Sequence, residues 1–120
     1  MTEQVAMQSL TGEGYTVEFD SDQGSVLMSG SLRLGGLTEY APISRLLDEA
    51  LDDREHLTLD LTQLEFLNSS GIATLSKFVI NARNRQSCAL TIRGSESIAW
   101  QGKSLNNLKR LMPSLELTFE

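Results

Sequence analysis

A chain of 120 residues with 40% hydrophobic and 22% charged side chains has the size and composition of one globular domain, and no apolar run approaches the ~20 residues of a bilayer-spanning helix. A net charge of −6 and a pI near 4.7 argue against nucleic acid, whose phosphates must be neutralised by Lys and Arg, and favour a protein partner. A single His and a single Cys exclude an internal disulfide and any metal site built on several such ligands.

Residues 1–11 are polar and unpatterned, which reads as a flexible tail before a domain over residues 12–120. They lack the basic start and apolar core of a signal peptide, and with the unpaired cysteine this points to the cytoplasm. Tyr15, Val17 and Phe19 alternate with Thr16 and Glu18, so Gly14 to Asp20 is expected to be a strand. Ser21-Asp22-Gln23-Gly24 supplies turn chemistry before a second strand, Ser25 to Ser31, and Gly30 within it suggests a bulge or a close backbone contact.

Ile43, Leu46, Leu47, Ala50 and Leu51 form a helical stripe, with Pro42 expected in the first turn, where its missing N–H matters least. Asp48, Glu49, Asp52 and Asp53 crowd the end of that helix, against its dipole, and read as a solvated face. Next, Leu57, Leu59 and Leu61 alternate with Thr58, Asp60 and Thr62 in a central strand. From Ile72 to Arg85 the period changes: Ile72, Leu75, Phe78, Val79 and Ala82 describe one helix face. Cys88 to Arg93 is a further strand, Ser104 to Met112 a short helix, and Leu115, Leu117 and Phe119 a last strand after Pro113. The order β-β-α-β-α-β-α-β predicts an α/β domain with a mixed sheet and helices packed against it.

Between the central strand and its helix stands Asn68-Ser69-Ser70-Gly71. Asn and Ser favour helix starts because their side-chain oxygens accept from backbone N–H groups that have no partner in the first turn. One of them is expected to be the N-cap. The positive end of the helix dipole would also tolerate a phosphate there, so the cap is a possible switch.

Leu57-Thr58-Leu59-Asp60-Leu61, then Phe66, then Asn68-Ser69-Ser70-Gly71 resembles the hallmark of the STAS domain family, found in sulfate transporters and anti-sigma factor antagonists. That hallmark is an alternating strand ending in Asp and an apolar residue, a connection with Phe, and Asp-Ser-Ser-Gly or Asp-Ser-Thr-Gly opening a helix. The departure is Asn68, where most phosphorylated members carry Asp. The resemblance implies a single STAS-like domain with no enzymatic activity and no cofactor, acting in bacterial signalling by partner switching. Its partners would be a serine kinase that is also an anti-sigma factor, and a phosphatase. The modified residue would be Ser69, or less favourably Ser70, within a switch loop and partner surface of Asn68, Ser69, Ser70, Gly71 and Ile72. The alternative keeps the fold without the chemistry: a non-phosphorylated scaffold subunit of a transporter or signalling complex.

Other signals are weaker. His56 begins the central strand, which at ~3.3 Å per residue carries it about 20 Å from Ser69, too far for a nucleophile–base pair. Gly102-Lys103-Ser104 ends like a phosphate loop, but position 97, where the first glycine belongs, holds Ser97. Trp100 is either an interface residue or a cover for the core edge, and Cys88 reads as a buried thiol behaving as a small hydrophobe.

Overall fold

The computed structural model describes residues 7–120. In chain order run β1 (Met7–Gly12), β2 (Tyr15–Asp20), β3 (Ser25–Leu32), α1 (Gly36–Ala50), β4 (His56–Leu67), α2 (Ser69–Arg85), β5 (Ala89–Gly94), α3 (Gln101–Leu111) and β6 (Glu116–Phe119). The strands lie side by side in that same order, antiparallel from β1 to β3 and parallel from β3 to β6. Helix α1 packs on α2 and α2 on α3, so the helices form one layer over one face of the sheet. The α/β domain and mixed sheet expected from the periodicities are present.

Alternation decides what that layer buries. Val17, Phe19, Val26, Met28, Leu57, Leu59, Leu61, Leu90 and Ile92 are all buried against it, while the intervening Thr58, Asp60, Thr91 and Arg93 stand on the opposite, polar face. There Arg93 bridges Asp60 and Glu120.

The expected tail over residues 1–11 is corrected in part: Met7–Gly12 form β1, and residues 1–6 lie outside the described residues. An edge strand is held by backbone pairing on one side, here from Met7 opposite Asp20 to Gly12 opposite Tyr15, so it needs little apolar content. The Glu13-Gly14 turn makes this tight, with Gly14 at φ 82°. Gly30 meets the expectation of close contact. Its φ is 89°, and a Cβ there would stand 2.1 Å from the Gly14 carbonyl oxygen.

Helix α1 begins at Gly36, which moves Pro42 from the expected first turn to the helix interior. Pro42 and Thr38 are exposed, so the Thr38 carbonyl that loses its helical donor faces water. The acidic crowding also eases. Asp52 and Asp53 lie beyond the helix end, Asp48 accepts from Asn81 Nδ2 at 2.9 Å, and Asp52 pairs with Arg85 on α2.

Strand β4 extends well past its pairing with β5, which ends at Asp60 opposite Arg93. Side chains from the start of α3 replace the missing strand. Gln101, fully buried, donates from Nε2 to the carbonyls of Leu61 (2.7 Å) and Leu64 (3.1 Å), and Trp100 Nε1 donates to Leu64 (3.1 Å).

Candidate functional site

Strand β4 stops at Leu67 because the residue that follows turns its side chain back on the chain. Asn68 is the N-cap of α2, with extended backbone (φ −80°, ψ 177°), and its Oδ1 accepts the Gly71 N–H at 3.0 Å. The same oxygen accepts the Tyr40 hydroxyl of α1 at 2.7 Å. Its Nδ2 donates to the carbonyl of Leu34, in the β3–α1 connection, at 2.8 Å. Because the Gly71 N–H can only donate, the amide has one allowed orientation. Asn68 therefore fastens three pieces of chain, and an Asp would turn an oxygen toward the Leu34 carbonyl. The amide at this position has a structural reason of its own.

Gly71 is buried, and a Cβ on it would lie 2.2 Å from Leu67 Cδ1 and 2.7 Å from the Tyr40 hydroxyl. Tyr40 is itself 1% exposed, and burial pushes its phenol above the ordinary tyrosine range. Its role is legible in retrospect: Tyr40, Ile43 and Leu47 share one helical stripe.

Ser69 is the first residue of α2 and is exposed. Among the described residues nothing hydrogen-bonds its hydroxyl. Ser70 is half-buried, with its carbonyl accepting from Thr74 Oγ1 at 2.9 Å, and Ile72 is half-buried against the core. Among the described residues the large hydrophobics that remain exposed are Leu37 (55%), in the first turn of α1, and Phe66 (38%), three residues before Ser69. The Arg33 guanidinium stacks over the Phe66 ring, 4.6 Å from its centroid. Arg33, Leu34 and Leu37 were not visible as site residues, since the pairing of Leu32 with Leu67 and the Asn68 bonds, neither of them local in sequence, bring the β3–α1 connection to the cap.

The other candidates lie apart from this surface. His56 begins β4 and Ser69 follows its far end, so the two are not brought together; His56 Nε2 instead contacts Thr91 Oγ1 at 2.9 Å. The loop before α3 lacks the first glycine of a phosphate cradle, and several of its N–H groups are already engaged. Ser95 donates to Gln101 Oε1, Glu96 to the Glu120 carbonyl and Ser97 to Ser95 Oγ. Trp100, half-buried, covers the core edge through its bond to Leu64. Cys88 is buried, and burial pushes its thiol up. Among the described residues no group of three or more His, Cys, Asp or Glu is placed to hold a metal, and no helix is long and apolar enough to cross a membrane.

With that geometry in hand, the chain can be set beside known proteins. No family model matches it, and no curated protein does. Solved structures do. An apo-SiaC from Pseudomonas aeruginosa superposes with a TM-score of 0.72 at 15% identity, covering 97% of this chain and 99% of that one. A second structure of SiaC of Pseudomonas aeruginosa gives 0.66 at 15% identity, with 96% of each chain covered. A crystal structure of diguanylate cyclase SiaD in complex with its activator SiaC, from the same organism, contains a chain matching at 0.69 and 13% identity, over 94% of this chain and 99% of that one. At such identities the likeness is one of fold, end to end.

Proposed function

We propose that this protein is a regulatory protein-binding module whose docking surface is the α2 cap, and that phosphorylation of Ser69 releases the bound partner. The observation that carries this reading is the division of labour at the junction. Asn68 holds the fold, while the adjacent Ser69 is exposed and its hydroxyl has no hydrogen bond among the described residues. A phosphoryl group would add roughly −1.5 to −2 charges where a partner must pack, opposing docking by repulsion and desolvation, while the helix dipole accommodates it within the domain. The fold likeness to SiaC supports the same class of role, since SiaC is named as the activator of a diguanylate cyclase. A serine kinase and a phosphatase complete the cycle. In this reading the catalysis belongs to those enzymes, and the module contributes a surface and a switch.

Intact-mass spectrometry of the protein purified from its native cells, before and after phosphatase treatment, tests this. One phosphoryl group that fragmentation localises to Ser69 is expected. Its absence under all growth conditions, with the protein found steadily bound to one complex, would support the scaffold role instead. A phosphate that persists in Ser69→Ala would move the site to Ser70.

A further inference from the structure

We infer that the surface beside the α2 cap receives an acidic side chain of the partner on Arg33, flanked by an apolar side chain that packs on Phe66. This rests on the cap being the docking surface and adds the chemistry of what docks. Arg33 is exposed and immediately follows the paired end of β3, where Leu32 lies opposite Leu67 and its carbonyl accepts the Asn68 N–H. One face of its guanidinium lies on the Phe66 ring. Stacking uses the face and leaves the N–H donors on the edge, in the planar fork that accepts a carboxylate in bidentate fashion. Among the described residues no carboxylate occupies that fork, whereas Arg85 and Arg93 have acidic partners.

The acids nearby do not fill the place. Glu39 is held by the Gly35 N–H at 3.0 Å, and Glu13 and Glu65 are exposed without an ion pair to Arg33. On a protein of net charge −6, a cation stacked on an exposed aromatic ring and without an ion pair among the described residues is a local focus for an anion. A cleft of about 370 Å³ lined by Glu13, Tyr15, Ser31, Arg33 and Leu34 adjoins it; Glu13 disfavours a second acid there, so the room suits a neutral side chain next to the carboxylate. Arg and aromatic residues at the centre of a patch are also the usual carriers of interface energy. Because Leu32 lies opposite Leu67, position 69 and Arg33 follow at the same end of the sheet, and an acidic group at 69 adds negative charge there against an incoming carboxylate.

Selection of a phage-displayed random peptide library on the immobilised full chain tests the inference. The expected peptides carry Asp or Glu next to an apolar residue. Synthetic copies should bind Arg33→Gln about tenfold more weakly than wild type, with Arg33→Lys in between, because charge is kept but the fork is lost. Circular dichroism melting of Arg33→Gln should match wild type. Peptides without acidic enrichment, peptides indifferent to Arg33→Gln, or no peptide above background would overturn the inference. Binding lost in Arg33→Gln but unchanged in Ser69→Glu would uphold the surface and defeat the phosphorylation switch. The reverse pattern would uphold the switch and defeat the acidic contact.

Discussion

Helices α2 and α3 start at the same edge of the sheet, each after a parallel strand and each from a stretch rich in Ser and Gly, yet the two starts are built differently. At α3 the residues that begin the helix turn inward, and the serines before it bond each other: Trp100 and Gln101 give their polar atoms to the carbonyls of β4, and Ser95 pairs with Ser97. At α2 a single residue, Asn68, does the holding, and the Ser69 hydroxyl beside it is left to solvent. Similar composition therefore serves closure in one place and leaves a reactive group accessible in the other.

The sharpest way to break this contrast is Gln101→Leu. It strips the donor from Leu61 and the acceptor from the Ser95 N–H inside the protein, so urea unfolding should lose about 3 kcal/mol. A loss below about 1 kcal/mol would mean that β4 needs no surrogate partner. Asn68→Ala should come next, at about 2 kcal/mol, since a cap and two further bonds go together. Asn68→Asp should lose roughly half as much, because the cap acceptor remains while the bond to Leu34 is replaced by repulsion.

Tyr40→Phe should be smaller again, about 1 kcal/mol, and carries a pH signature. The phenol is raised in the folded state, so its contribution is complete below the unfolded tyrosine value near 10 and is lost as pH rises through the folded value. Stability above about pH 10 should therefore fall more steeply in wild type than in Tyr40→Phe, as read by chemical unfolding across that range. The smallest effect is expected at Ser69→Ala, within about 0.5 kcal/mol, as for an exposed residue outside any bond.

Much of the fold was readable because its strands alternate cleanly and its helices carry one apolar stripe. Leu57, Leu59, Leu61 and the stripe from Leu75 to Ala82 needed no further information. Strand β1 was not readable: Gln8, Ser9 and Thr11 are ordinary surface residues, and only pairing with β2 makes them a strand. Pro42 misled as to where α1 begins, since its penalty depends on whether the Thr38 carbonyl meets water. At the site, the junction of strand, cap and helix was legible from Asn68 to Gly71. Arg33 and Leu37 were not, because the pairing of β3 with β4 and the long-range hydrogen bonds of Asn68, both invisible in local spacing, bring their segment to this end of the sheet.

The separation of holding and signalling at the α2 start is tested most directly by one variant read in two assays. Ser69→Glu should unfold in urea within about 0.5 kcal/mol of wild type, because a carboxylate in the first turn suits the helix dipole. The same preparation should bind an acidic peptide selected on the wild-type surface at least about tenfold more weakly, through repulsion at the interface. Unchanged peptide binding, or a loss of stability as large as that of Asn68→Ala, would contradict the assignment of Ser69 to signalling and Asn68 to the fold.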